Sequence, residues 1–150
     1  MDAKIYDLSD KTVIVTGANA GIGKAAAVQL AELGANVVMA CRSLERGAAA
    51  LTEVKERSGN HMVELLRVDM SSQASIRKFA DEFRGGHKRL DVLIHNAANF
   101  DLSLKQPVLT ADGIETIFAT NHVGVFLLTD LLLDLLKSSA PSRIITVASK

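Results

Sequence analysis

The chain has 150 residues, is 48% hydrophobic and 23% charged, and sets 17 basic against 17 acidic side chains for a formal net charge of +0. That length and composition suit one globular domain with a real core and exclude a disordered chain. Neutrality, with no block of like charge, leaves no electrostatic case for nucleic acid or an anionic membrane surface as a partner.

The N-terminal run MDAKIYDLSDK is polar and has no apolar signal core, so neither secretion nor an anchor at that end is expected. Thr12–Thr16 is β-branched and alternates little, the pattern of a strand buried on both faces. From Gly21 to Leu33 the apolar positions Ile22, Ala25, Ala26, Leu30 and Leu33 have helical spacing, and Gly34 is the expected stop. Asn36–Cys41 reads as a strand, Leu44–Ser58 as a helix and Val63–Val68 as a third strand. Ser71 or Ser72 caps a helix that reaches about Phe83 and ends at Gly85-Gly86. Leu90–Asn96 is a fourth strand. After a loop through Pro107, the run from Ala111 to about Ser138 is mostly helix. Pro141 breaks the chain before a fifth strand, Ser142–Ala148.

The most apolar stretch, VGVFLLTDLLLDLLK from Val123 to Lys137, contains Asp130 and Asp134 and is too short to cross a bilayer, so it is expected to be a buried or interface helix. The one cysteine, Cys41, has no partner for a disulfide or a metal site and is expected to be a small buried residue in a reducing, cytoplasmic setting. Strand and helix alternate throughout. The expected fold is therefore α/β: a doubly wound, Rossmann-like parallel sheet in three α/β/α layers, forming a single domain over residues 1–150.

In such a sheet a ligand sits beyond the carboxyl ends of the strands, where strand order reverses. The turn after the first strand carries Gly17, Gly21 and Gly23 in the spacing Gly-x-x-x-Gly-x-Gly. Gly17 permits a tight turn, and the lack of a Cβ at Gly21 or Gly23 lets a phosphate oxygen or the neighbouring strand approach the backbone. A helix that begins there points unpaired N–H groups and a partial positive charge outward. The turn is shaped for a dinucleotide diphosphate.

TGANAGIG at Thr16–Gly23 resembles the cofactor signature of the short-chain dehydrogenase/reductase family. The resemblance continues in the family's order with VD at Val68-Asp69, HNAA at His95–Ala98, TNHVGVFLLT at Thr120–Thr129 and SRIITVAS at Ser142–Ser149. ACRS, HNAA and LTADGIETIFATNHVG are similar to the branch of retinol dehydrogenases, WW-domain oxidoreductases and protochlorophyllide reductases. The resemblance implies an oxidoreductase that moves a hydride between a nicotinamide and a carbon of a small carbonyl or alcohol substrate. It implies cofactor contacts at Gly17, Asn19, Ala20, Gly21, Ile22 and Gly23, at Asp69 and Met70, and at Asn96, Ala97 and Ala98. Asp69 would accept from the adenine amino group or cap the next helix. Asn96 would tie the central strands, and Ala98 stands where the family has glycine. Asn121 would be the catalytic asparagine behind a proton-relay water, and Ser149 the catalytic serine that hydrogen-bonds the substrate oxygen. His95 and His122 are read as packing residues.

NAD-binding members of this architecture carry an acid about 20 residues past the glycines. Here that place holds Cys41, then Arg42 and Ser43. A guanidinium holds a 2′-phosphate that an acid would repel, so the expected cofactor is NADP(H) rather than NAD(H). Relatives that bind NADP often place a second basic residue before the middle glycine, where this chain has Ala20. The family's catalytic tyrosine and lysine, four residues apart on the helix after the fifth strand, are not among these residues. Tyr6 precedes the first strand, and Lys150 adjoins Ser149. A sheet that stops at the fifth strand would leave an exposed edge, so the expectation is part of a longer enzyme, inactive by itself. The rival reading is a non-catalytic dinucleotide-binding module, a redox sensor or interaction subunit. A flavodoxin-like or receiver domain is a weaker third. The helix from Ala111 to Ser138 is a possible contact between copies of the chain.

Overall fold

The computed structural model describes residues 6–101, 103 and 105–149; Lys150 and the first five residues lie outside them. Five strands, β1 (Thr12–Thr16), β2 (Asn36–Cys41), β3 (Val63–Arg67), β4 (Val92–His95) and β5 (Arg143–Thr146), form one sheet in the order β3-β2-β1-β4-β5. Every pair is parallel. β1 lies at the centre, and Ile14 is level with Val38 on one side and Leu93 on the other. Strand order reverses at β1, as the alternation of elements predicts.

Three helices follow the expected bounds closely: α1 (Gly21–Glu32), α2 (Leu44–Ser58) and α3 (Gln73–Gly86). The strand's period of two sorts the core into two layers. Val13 and Val15 pack with Ala27, Val28 and Ala31 of α1 and with Ala50 and Val54 of α2. Ile14 and Val38 face the opposite way, onto Ile76, Phe79 and Phe83 of α3 and Leu128, Leu132 and Leu136 of the last helix. Gly34 ends α1 as expected: its N–H reaches Ala31 O at 2.9 Å, and Ala35 N reaches Leu30 O at 3.1 Å.

Four elements differ in their bounds from expectation. β3, β4 and β5 are each shorter than predicted, although single bonds such as Val68 N to Cys41 O and Val147 N to His95 O continue past their ends. The last helix begins at Thr116, not Ala111. Residues 110–113 form a turn with Gly113 at φ +74°, and Leu109 bridges Glu115. The Glu115 carboxylate then caps the helix, accepting from Ile117 N at 2.9 Å and Phe118 N at 2.8 Å. The helix runs unbroken over Thr116–Ser138 with a π turn at Ala119–Val123. Its 23 residues are, by length and composition, enough to cross a membrane; the apolar run Val123–Lys137 alone is not. One face of the helix is in the core of the sheet, through Leu128, Leu132 and Leu136.

At the amino ends of β1 and β4, Asp91 is buried at 3% exposure. Its carboxylate accepts from Thr12 N at 2.9 Å and from Arg89 at 2.8 and 2.6 Å, with Lys11 at 3.5 Å. Burial by itself would raise its pKa, but the Arg89 guanidinium and the Thr12 N–H together hold it below the usual carboxylate value. β5 is the edge strand, with Ile144 45% and Ile145 44% exposed, the uncovered edge the sequence leads one to expect.

Candidate functional site

The carboxyl ends of β1, β2 and β4 open onto a cleft of about 360 Å³. Gly17, Asn19, Ala40, Arg42, Arg46, Val68, Asp69 and Met70 line one part, and Asn96, Ala97, Ala98, Asn99 and Thr120 the rest. The tight turn after β1 brings its floor together. Gly17 has φ +67°, and a Cβ there would stand 2.9 Å from Ala97 Cα. Gly23 faces inward: a Cβ would lie 2.5 Å from Gly17 O and overlap the Asn96 amide. A Cβ at Gly21 meets nothing within 4 Å. The close approach to the neighbouring strand therefore belongs to Gly17 and Gly23, and Gly21 is on the open side.

Thr16 and Asn96 clamp this floor from both directions. The Thr16 hydroxyl accepts from Asn96 N and Ala97 N, both at 3.0 Å, and donates to Ile94 O at 3.3 Å. The Asn96 amide donates to Thr16 O at 3.0 Å and Gly17 O at 3.2 Å. This is the strand-tying role read for Asn96. Thr16→Val keeps the shape but leaves two N–H groups unpaired at a side chain only 1% exposed. The expected loss is about 2 kcal/mol of unfolding free energy, read by urea denaturation.

α1 starts beside the cleft with nothing on its end. Its N-cap is Ala20, no side chain bonds its first turn, and no acid sits there. The other helices start differently: Ser43 caps α2, Ser72 caps α3, and Glu115 caps the long helix. An uncapped end presents free N–H donors and the positive end of the helix dipole to whatever enters. Ile22, at 67% exposure, flanks this opening.

Under the turn, Cys41 is 1% exposed. Burial pushes its thiol pKa up, against the N–H groups of Ala18 and Asn19 that bond the sulfur and the charge of Arg46. The thiol stays neutral, as expected of a packing residue. Arg42 follows it into the cleft. Ser43 turns its oxygen to Arg46 N at 3.2 Å to cap α2, which leaves its hydroxyl hydrogen to donate. The basic residue looked for at Ala20 has a substitute that sequence reading missed: Arg46, on the first turn of α2, lines the cleft with Arg42. The signal was present, because a helix that starts at Leu44 returns residue 46 towards the strand end. Lys24 points away, to Glu53 at 2.6 Å. Ala40, Val68, Asn99 and Thr120 are the other lining residues that were not anticipated.

Asp69 does not cap α3. One of its oxygens accepts from Ser71 N at 2.9 Å and Ser71 Oγ at 2.7 Å, while Ser72 caps the helix. Its carboxylate shapes the loop at the cleft wall and retains acceptor capacity. Asn121 is within the π turn, and its amide holds both main-chain groups of Asn99, accepting from N and donating to O at 2.7 Å each. The helix around this asparagine is irregular, wound as a π turn over Ala119–Val123. Ser149 is exposed, just past β5 at the carboxyl edge. Neither Asn121 nor Ser149 lines the cleft, and no hydrogen bond joins them among the described residues. His95 is 2% exposed, its Nε2 is 2.8 Å from Thr129 Oγ1, and its Nδ1 has no partner. Burial pushes its pKa down to about 4. His122 stacks on Phe118 at 5.1 Å.

A family model described as short chain dehydrogenase matches residues 11–150. The chain belongs to the short-chain dehydrogenase family. It is 47% identical over 143 residues to human dehydrogenase/reductase SDR family member 13, covering 95% of this chain and 37% of the relative. It is 48% identical over 140 residues to human retinol dehydrogenase 13, covering 93% and 41%. The chain thus spans about two-fifths of the length of these relatives. Among solved structures it superimposes on a metagenomic short-chain oxidoreductase in complex with NADP, with TM-score 0.83, 30% identity, and coverage of 95% of this chain and 64% of that one. The Pseudomonas aeruginosa RhlG/NADP active-site complex gives TM-score 0.81 at 31% identity, covering 95% and 56%.

Proposed function

We propose that this chain is the cofactor-holding part of an NADP(H)-dependent oxidoreductase acting on a small carbonyl or alcohol substrate. The observation that carries the reading is the uncapped start of α1 beside a glycine turn, with Arg42 after β2 and Arg46 on the first turn of α2 both lining the cleft. These residues fit a phosphorylated dinucleotide: donors meet a diphosphate at the turn, and guanidinium forks meet a third phosphate 20-odd residues on. The NADP-bound state of two structural neighbours agrees with it.

When bound, NADP(H) supplies or accepts the hydride. The free amides at the start of α1, residues 20–22, would bind the diphosphate. Arg42 and Arg46 hold the 2′-phosphate, with Ser43 donating from its hydroxyl. The free oxygen of Asp69 accepts from the adenine amino group, and Met70 packs beside it. Asn96, Ala97 and Ala98 form the floor under the ribose. Asn121 fixes the Asn99 main chain at the cleft wall, and Ser149 orients the substrate oxygen. Proton transfer to that oxygen needs a positioned acid, and Tyr6, the only tyrosine, lies before β1. These 150 residues alone are therefore expected to bind cofactor and turn over little.

Calorimetric titration with NADPH and NADH checks the reading. Arg42→Ala is expected to weaken NADPH binding by about tenfold to a hundredfold and to leave NADH nearly unchanged. Equal losses for both cofactors would remove the 2′-phosphate assignment, and no heat from either with folded protein would remove the function.

A further inference from the structure

The long helix and the hairpin before it each touch the cleft wall at one point outside the lining residues. Gly124, the first residue after the π turn, packs directly on the main chain of Met70, and a Cβ there would overlap Met70 O. Twelve residues earlier, Asp112 is on the turn of the 108–116 hairpin. Its Oδ2 accepts from Gln73 N, the first residue of α3, at 3.0 Å across 39 residues of sequence. The hairpin is cross-linked: Thr116 donates to Val108 O from both N and Oγ1, at 2.8 and 2.7 Å, and Thr110 N donates to Ile114 O at 2.8 Å. The five-residue wall Asp69–Gln73 is therefore held at Met70 by the helix and at Gln73 by the hairpin. Thr120, between these two holds in sequence, lines the same cleft from the other side.

We infer that Gly124 and Asp112 are positioning residues: through Met70 and Gln73 they set the wall that receives the adenine, so cofactor affinity depends on a helix that carries no adenine contact of its own. The inference rests on the NADP(H) reading above. Its physical basis is distance of approach. Only a residue without a side chain lets the helix lie against the Met70 carbonyl, and a carboxylate placed at the positive end of α3 draws the wall towards the hairpin. The same two contacts join the Asp69 end of the cleft to Asn121 and Thr120 as one body, so a shift of the helix start moves both ends together.

The test compares three variants by calorimetry with NADPH and with 2′,5′-ADP, which carries only the adenosine half, and reads the melting temperature of each. Gly124→Ala and Asp112→Ala are expected to weaken both ligands by roughly fivefold. Asp112→Asn, which keeps an oxygen acceptor for Gln73 N, is expected to recover most of the affinity. Asn60→Ala removes two side-chain bonds remote from the cleft, to Ala31 O at 2.9 Å and Ala35 O at 3.0 Å, so it lowers the melting temperature but leaves both affinities at the wild-type value. If Asp112→Ala and Gly124→Ala bind as wild type does, or if Asn60→Ala weakens binding as much as Asp112→Ala, the positioning role is wrong. Should Gly124→Ala fail to fold, Asp112→Ala decides alone. Wild-type protein that binds neither ligand overturns the NADP(H) reading and the inference with it.

Discussion

Gly23→Ala is expected to abolish measurable NADPH binding and to lower the unfolding free energy by about 3 kcal/mol. The added methyl has no free direction. It would stand 2.5 Å from Gly17 O and overlap the Asn96 amide, and both atoms belong to the clamp that joins β1 to β4. Relief requires moving α1 away from the turn, which breaks the Asn96 bonds to Thr16 O and Gly17 O and displaces the uncapped helix start. Gly21→Ala is the comparison. Its Cβ meets no atom, and only the left-handed backbone at φ +53° resists it, so a loss of about 1 kcal/mol and much weaker damage to binding are expected. Urea denaturation and calorimetry together read both. If the two variants bind NADPH equally well, the inward role of Gly23 is wrong.

Acidification is expected to weaken the fold in two separate steps. His95 is neutral in the native state, with its pKa pushed by burial from 6.5 to about 4. Between those values the unfolded chain binds a proton that the folded chain refuses, so stability falls as pH drops through 6.5 towards 4, by about 3 kcal/mol in full. Asp91 acts lower down. Its pKa is held below 3.8, so its contribution is complete above that value and is lost as pH falls through the native pKa. His95→Leu gives up the 2.8 Å bond to Thr129 but removes the first step. Denaturant midpoints measured from pH 7.5 to 4 should slope downward in the wild type and run nearly flat in the variant. A parallel slope in both would assign the loss to other groups.

These two cases differ in how far they could be read in advance. Gly17, Gly21 and Gly23 stand out in the sequence because a strand–turn–helix connection at phosphate-binding spacing needs residues without a Cβ. Which glycine touches the protein and which faces the ligand depends on where β4 lies, and β4 is 75 residues further along the chain. His95 was read as packing, and it packs. Its unpaired Nδ1 depends on the depth of the layer beneath the long helix, which periodicity does not report. Ser71 and Ser72 were equal candidates for the cap until the Asp69 side chain took Ser71. Arg46 escaped notice because a basic residue was sought beside the glycines, and the fold brings one from α2 instead.

Local chemistry in the sequence by itself determined the order and type of the elements, the parallel sheet they must form, the phosphate-shaped turn and the arginine at the end of β2. Each of these follows from neighbours within a few residues: periodicity, caps and glycines. Only the tertiary structure decided the grip of Asn121 on Asn99, the hold of Asp112 on Gln73 and the seat of Gly124 on Met70. Those depend on distances between segments tens of residues apart, which are set by how the two layers pack on the sheet and have no signature in any single stretch of chain.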